Sequence, residues 1–294
     1  MGANVETRNE IGARPIYAAL MHETADAAYA LIEAGADIEA RIRDGFTPIH
    51  HAVLHGSVET VRALIEAGAD IEARNDRGFS PLHTAAASGN GEFAQLLIAS
   101  GAEIHSRGEG EWTPLHSAAQ KGSGETVLAL IEAGADIDAR AERGWTPMHA
   151  AAAHGNARVV PTLVAMGADL EAQDDEDATP LYVAAIHGDA ETVRAFLEAG
   201  AALEVRTRGD WRPLHAAAAE GNAEAALTLI EAGAAVEARA NGGWTALHVA
   251  ANHGNAETVL ALTGAGASLR ALVEDVATPL RSRSSMELRK PFGR

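Results

Sequence analysis

The sequence predicts an all-α repeat solenoid, and three observations carry that prediction. First, proline recurs at 15, 48, 81, 114, 147, 180, 213 and 279 of the 294 residues, always multiples of 33 apart, with Ala246 in the one gap. A repeat copied without insertion stacks on its neighbours instead of closing into one globule. Second, hydrophobic residues make up 47% but aromatic residues only 4%. The core must then be built from Ala, Leu, Ile and Val, which suits close helix packing better than strands. Third, two glycine columns keep the same period: 56, 89, 122, 155, 188, 221, 254 and 35, 68, 101, 134, 167, 200, 233, 266.

Each repeat carries two short helical patterns and a turn-rich link. The first helix is expected to open at Thr47-Pro48, where the threonine caps and the proline sits in the first turn. It should end at the Gly56 column, which a left-handed C-terminal cap calls for. The second helix puts Val61, Leu64 and Ile65 on one face, with Val127, Leu130, Ile131 and Val193, Phe196, Leu197 as counterparts downstream. It should stop at the Gly68 column. Small pairs such as Ala85-Ala86 and Ala118-Ala119 let neighbouring first helices approach closely.

In register, residues 1–8 form a partial N-terminal repeat, 9–272 eight full repeats, and 273–294 a truncated repeat with a basic tail. All are expected to form one domain, 1–294. The partial start suggests a vestige or an excision from a longer protein. The tail, with Arg281, Arg283, Arg289, Lys290 and Arg294 against Glu287, is expected to cap the last exposed core.

The residues Thr113-Pro114-Leu115-His116, Thr146-Pro147-Met148-His149 and Thr245-Ala246-Leu247-His248, with the later Gly-Ala-Asp of 68–70, 134–136 and 167–169, resemble the ankyrin repeat family over nearly the whole chain. The resemblance implies a β-turn finger and two antiparallel helices per repeat, with fingers and first helices lining a concave side. It also implies that the histidines at 50, 83, 116, 149, 215 and 248 tie the finger to the helix start.

Composition and motifs exclude several activities. The net charge of −18, from 23 basic and 41 acidic residues, repels phosphate and argues against nucleic acid. No cysteine is present, so disulfides, thiolate zinc sites and cysteine nucleophiles are absent. No run of eighteen apolar residues suggests a membrane span, and MGANVETRNE lacks the features of a secretory leader. A cytoplasmic monomer is the expectation of these readings. No GxSxG, P-loop, HExxH or dinucleotide fingerprint occurs, so no enzyme activity and no cofactor are expected. His51 and His55 share a helix face without a third ligand, and Asp174-Asp175-Glu176-Asp177 lacks the spacing of a calcium loop. Both read as surface features, although histidines on a binding face could make affinity depend on pH near 6 to 7.

Two columns vary in ways that folding explains least. Phe46, Phe79, Trp112, Trp145, Trp211 and Trp244 sit two residues before the repeat proline or its stand-in. Arg41, Arg74, Arg107, Arg140, Arg206 and Arg239 lie four residues before the finger glycine place. By the resemblance the aromatic place faces the concave side. Tryptophan and arginine dominate binding hot spots, so both columns are expected to contact a protein or peptide partner. The competing expectation is that each aromatic covers the next finger and each arginine pairs with acids such as Asp76, Glu109 and Glu142. Gln173, Ala178 and Tyr182 break the columns in one repeat. The expected function is non-catalytic protein recognition. The alternatives are the repeat region of a longer enzyme or effector, and a structural or self-assembling solenoid.

Overall fold

Thr47 and Pro48 begin a helix as expected, and the same start recurs through the chain. The computed structural model describes residues 4–9, 13–22, 25–187 and 189–269. These residues contain sixteen α-helices, five short 3₁₀ turns and no strand. They fall into two compact bodies, the first ending at Asp175 and the second beginning at Glu176. The boundary thus lies inside the acidic run, in the repeat where the columns break.

In the first body the first helices are α1 (Pro15–Ala19), α3 (Pro48–His55), α5 (Pro81–Ser88), α7 (Pro114–Lys121) and α9 (Pro147–Ala153). The second helices are α2 (Asp26–Glu33), α4 (Val58–Glu66), α6 (Gly91–Ala99), α8 (Gly124–Glu132) and α10 (Val160–Ala165). First helices pack on first helices and second on second, in two rows. The second body repeats this with α11 (Pro180–His187), α13 (Pro213–Glu220) and α15 (Ala246–His253) beside α12 (Ala190–Glu198), α14 (Ala223–Glu231) and α16 (Ala256–Gly264). Pro161 shortens α10, whose start is a 3₁₀ turn over Ala157–Val159, because proline supplies no N–H to the helix interior.

The core follows the repeat. Ile49, Leu82, Leu115 and Met148 form one buried column, and Ala85, Ala86, Ala118 and Ala119 are sealed between first helices. On the second helices Val61 and Leu64, Val127 and Leu130, and Val193 and Phe196 are buried as expected. The third member of each triple, Ile65, Ile131 or Leu197, is only half-buried. Thr60, Thr126 and Thr192 are instead fully buried beside the valines. Their hydroxyls are satisfied within the first turn: Thr60 donates to the Ser57 carbonyl (2.7 Å), Thr126 pairs with Ser123 Oγ (2.9 Å), and Thr192 donates to Asp189 Oδ2 (2.6 Å). That local bonding removes the cost of burying a hydroxyl, which apolar periodicity alone does not reveal.

The two glycine columns differ in cause. At Gly68 φ is +86° and an added Cβ would meet nothing within 4 Å. Glycine is needed there for backbone conformation, and the turn closes with Ala69 N–H donating to the Leu64 carbonyl at 2.9 Å, a Schellman bond. In the other column Gly89, Gly122, Gly155, Gly221 and Gly254 are left-handed as expected, and Gly188 lies outside the described residues. Gly56 departs from the expectation: its backbone is extended (φ −96°, ψ −162°). A Cβ there would fall 2.5 Å from the Leu20 carbonyl oxygen and 2.4 Å from Thr60 Oγ1. Close approach, not handedness, requires glycine at that place.

Candidate recognition groove

The fingers are short hairpins closed by their own backbone. Asn75 N–H donates to the Phe79 carbonyl (3.0 Å), Gly108 to Trp112 (2.9 Å) and Ala141 to Trp145 (2.8 Å). Successive tips are joined as well: Asp76 N–H donates to the Asp44 carbonyl (3.0 Å) and Glu109 N–H to the Arg77 carbonyl (2.8 Å). The result is a rigid ladder of tips beside the first helices.

Four motif histidines, His50, His83, His116 and His215, fasten the next finger to their own helix start. His83 Nδ1 accepts from the Ser80 N–H (3.2 Å) and pairs with Ser80 Oγ (2.9 Å). Its Nε2 therefore carries the proton and donates to the Trp112 carbonyl at 3.0 Å. His50 reaches the Phe79 carbonyl (3.0 Å), His116 that of Trp145 (3.0 Å) and His215 that of Trp244 (3.2 Å) in the same way. Burial pushes His50 and His215 below the usual imidazole value and His83 and His116 down to about 4. Tyr17 occupies the histidine place in its repeat, and its hydroxyl sits between the carbonyls of Ala40 and Phe46, within hydrogen-bond distance of both. Tyrosine thus performs the same fastening there.

In the first body Arg74, Arg107 and Arg140 act on backbone rather than on the acids Asp76, Glu109 and Glu142, and Arg107 also pairs with the Glu111 carboxylate at 3.5 Å. Arg74 Nη1 donates to the carbonyls of Gly78 (2.9 Å) and of Arg107, one repeat on (2.8 Å). Arg107 does the same to Glu111 (3.2 Å) and Arg140 (2.7 Å), and Arg140 to Gly144 (3.4 Å) and Gln173 (3.0 Å). Each guanidinium closes its own finger and staples the next. In the second body Arg206 pairs with Asp210 (3.4 Å). The carbonyl of Arg239 is instead reached by Arg212 (3.3 Å), which is also held by Glu204 (2.7 Å). Arg41, Arg107, Arg140, Arg206 and Arg239 keep exposed surface, while Arg74 is half-buried.

All six column aromatics are half-buried. Each ring lies 5.2 to 6.2 Å from the motif histidine of its own repeat, from Phe79 over His83 to Trp145 and Trp244 over His149 and His248. Phe79 also covers the next finger, since a Cβ on Gly108 would lie 2.1 Å from its ring. Trp112, Trp211 and Trp244 pack on the glycines of their own fingers, Gly110, Gly209 and Gly242. One face of each ring is thereby committed to the fold.

What remains of Phe46, Phe79 and Trp112 opens into a groove of about 830 Å³ in the first body. The finger side of the groove carries Asp44, Arg77 and Glu109, and the helix side Leu54, Thr84, Ala87, Ser117, Gln120 and His154. Leu54 is 41% exposed, a large apolar side chain without a cover. Gln120 Nε2 and His154 Nε2 pair at 2.8 Å, and Trp112 meets the His154 ring edge-on at 6.5 Å. The groove offers stepped aromatic faces, an apolar floor and a few polar groups, as a recognition surface requires. Trp145 does not line it, and Trp211 and Trp244 belong to the second body.

The helix-side residues escaped sequence reasoning. Leu54, Ala87 and Gln120 stand eight residues after each column aromatic, and their place continues as Ala153, Ile186, Ala219 and Asn252. Variation at one fixed place inside a uniform repeat was the available signal. His51 and His55 rings lie 4.8 Å apart, and among the described residues no three metal-ligating groups gather. No helix among these residues is long and apolar enough to cross a membrane. The basic tail and the ninth repeat lie outside the described residues.

Fold and groove together define a helical repeat protein with an open, partly apolar groove. The family model for ankyrin repeats (3 copies) matches residues 1–75, 70–141, 135–207 and 181–272, and the chain belongs to the ankyrin repeat family. Such repeats generally serve as non-catalytic protein–protein interaction modules. Among solved structures, the human ASB11 ankyrin repeat domain is similar, with a TM-score of 0.67 and 29% identity over 75% of this chain and 98% of that one. A search of curated proteins finds no significant match.

Proposed function

We propose that this chain is a recognition module that takes a segment of a protein or peptide partner into the groove of its first body. The observation that carries the reading is the stepped row Phe46, Phe79 and Trp112 facing Leu54 and Ala87. The fold fixes one side of these rings and leaves the other open. Because the fingers are tied by histidines and arginines, the surface is preorganised and binding loses little conformational freedom. Arg74, Arg107 and Arg140 serve the site by tying together the fingers that form its wall. Trp145, Trp211 and Trp244 extend the contact set in their own repeats. Nothing in this reading needs a cofactor, nucleic acid or a membrane, and it places the chain as a monomer in the cytoplasm.

The test is affinity capture with wild type beside a Phe79→Ala/Trp112→Ala variant that retains helical circular dichroism. A partner held by the wild type and lost by the variant is the expected result. Retention of every partner by the variant would overturn the assignment.

A further inference from the structure

The finger closed by Asn75 and Phe79 contains its own cation. The Arg77 guanidinium lies 5.1 Å from the centroid of the Phe79 ring, and its Nε pairs with the Glu109 carboxylate of the next finger. An aromatic face, a cation over it and a carboxylate from the following tip form one triad on the groove wall.

The preceding finger, closed by Ile42 N–H on the Phe46 carbonyl, has the same frame without the cation. The tip bond from Asp76 to Asp44 matches the one from Glu109 to Arg77, so Phe46, Asp44 and Asp76 stand where Phe79, Arg77 and Glu109 stand one repeat later. At the place of Arg77 the chain has a carboxylate. Asp76 packs against this finger, since a Cβ on Gly45 would fall 2.3 Å from its Oδ1. Neither the Asp44 nor the Asp76 carboxylate has a hydrogen-bond or ion-pair partner among the described residues. Of the nearby cations, Arg41 stands at the finger base, where its charge acts on His50 and Tyr17. Arg43 holds the place from which Glu109 reaches back to a preceding finger.

We infer that the corner formed by Phe46, Asp44 and Asp76 receives an arginine or lysine side chain of the partner segment, which completes the triad that Arg77 fills internally. The inference rests on the groove being the binding site. Two carboxylates and an open aromatic face complement a cation in charge and in quadrupole. A partner carboxylate would meet like charge, so the corner also selects against acidic segments.

The experiment pans a displayed library of random dodecapeptides on the folded chain, then measures the affinity of the selected peptides for three variants. Enrichment of Arg or Lys is expected, with affinity falling about tenfold in Asp44→Asn/Asp76→Asn. Asparagine suits the left-handed backbone at Asp44 (φ +62°), so that variant keeps the finger intact. Arg77→Ala should raise the affinity of peptides with two basic residues several-fold, by opening a second corner at Phe79 and Glu109. Peptides lost in Phe79→Ala/Trp112→Ala but neither basic nor sensitive to the asparagine variant would overturn this inference and leave the groove standing. Peptides indifferent to Phe79→Ala/Trp112→Ala would overturn both.

Discussion

His116 Nε2 lies 3.0 Å from the Trp145 carbonyl oxygen, while its Nδ1 accepts from the Thr113 N–H and pairs with the Thr113 hydroxyl. One neutral imidazole thus joins a helix start to the next finger. Both ring nitrogens are used, and protonation would set an N–H against the Thr113 N–H.

A pH dependence of stability follows. His83 and His116 titrate near 4 in the folded chain and near 6.5 when unfolded. Between those values the unfolded state binds more protons, so stability falls as pH drops from about 6.5 toward 4. Above 6.5 these groups leave it unchanged. Each contributes on the order of 2–3 kcal/mol. Urea unfolding across pH 4 to 7.5 should show the decline, and a His83→Gln/His116→Gln variant should start less stable and show a shallower slope. An equal slope in that variant would count against the assignment. The affinity change near pH 6 to 7 expected from sequence has no support from these histidines.

The stapling arginines should rank by what they hold. Arg212→Ala is expected to cost most, about 1.5–3 kcal/mol, since its side chain is only 12% exposed and pairs with Glu204. Arg107→Ala should cost about 0.5–1.5 kcal/mol through its two carbonyl bonds. Arg206→Ala, which removes an exposed pair with Asp210, should cost under about 0.5 kcal/mol. Chemical denaturation of the three variants checks the order.

The two glycine columns should respond differently to asparagine. Gly68→Ala is expected to cost about 1–2 kcal/mol, and Gly68→Asn less, because asparagine tolerates the left-handed region. Gly56→Ala and Gly56→Asn should both cost about 1–3 kcal/mol or more, since each adds a Cβ against the Leu20 carbonyl. If Gly56→Asn proved as mild as Gly68→Asn, close approach would not be the constraint.

Groove residues outside the core separate binding from folding. Leu54→Glu and Ala87→Glu lie on exposed positions and should leave thermal stability within about 0.5 kcal/mol of wild type. Each should nonetheless weaken peptide binding by about tenfold, because a bulky, hydrated side chain replaces apolar contact on the helix side of the groove. Titration of a selected peptide, with melting curves in parallel, reads both effects.

Much of the fold was legible because a 33-residue period repeats a local instruction: a capped proline start, an apolar face and a glycine stop. Thr47-Pro48, the Leu82 column and Gly68 all act within a few residues of themselves, and local chemistry settles them. The aromatic column was legible as a place, but its two faces were not. Only packing showed that Phe79 covers Gly108 on one side and opens into the groove on the other.

The roles of the arginines and of Gly56 depended on atoms one repeat away. Arg74 finds the carbonyl of Arg107, and Gly56 lies against the carbonyl of Leu20, because stacking brings residues about 33 apart into hydrogen-bond range. A column read along the sequence shows which residue recurs and hides what it meets. The sequence by itself determined a stack of helix pairs and fingers, through period and propensity. Tertiary structure alone decided which recurring side chains hold the stack together and which face the groove, because that choice is made between repeats, where neighbours compete for the same carbonyls and the same apolar surface.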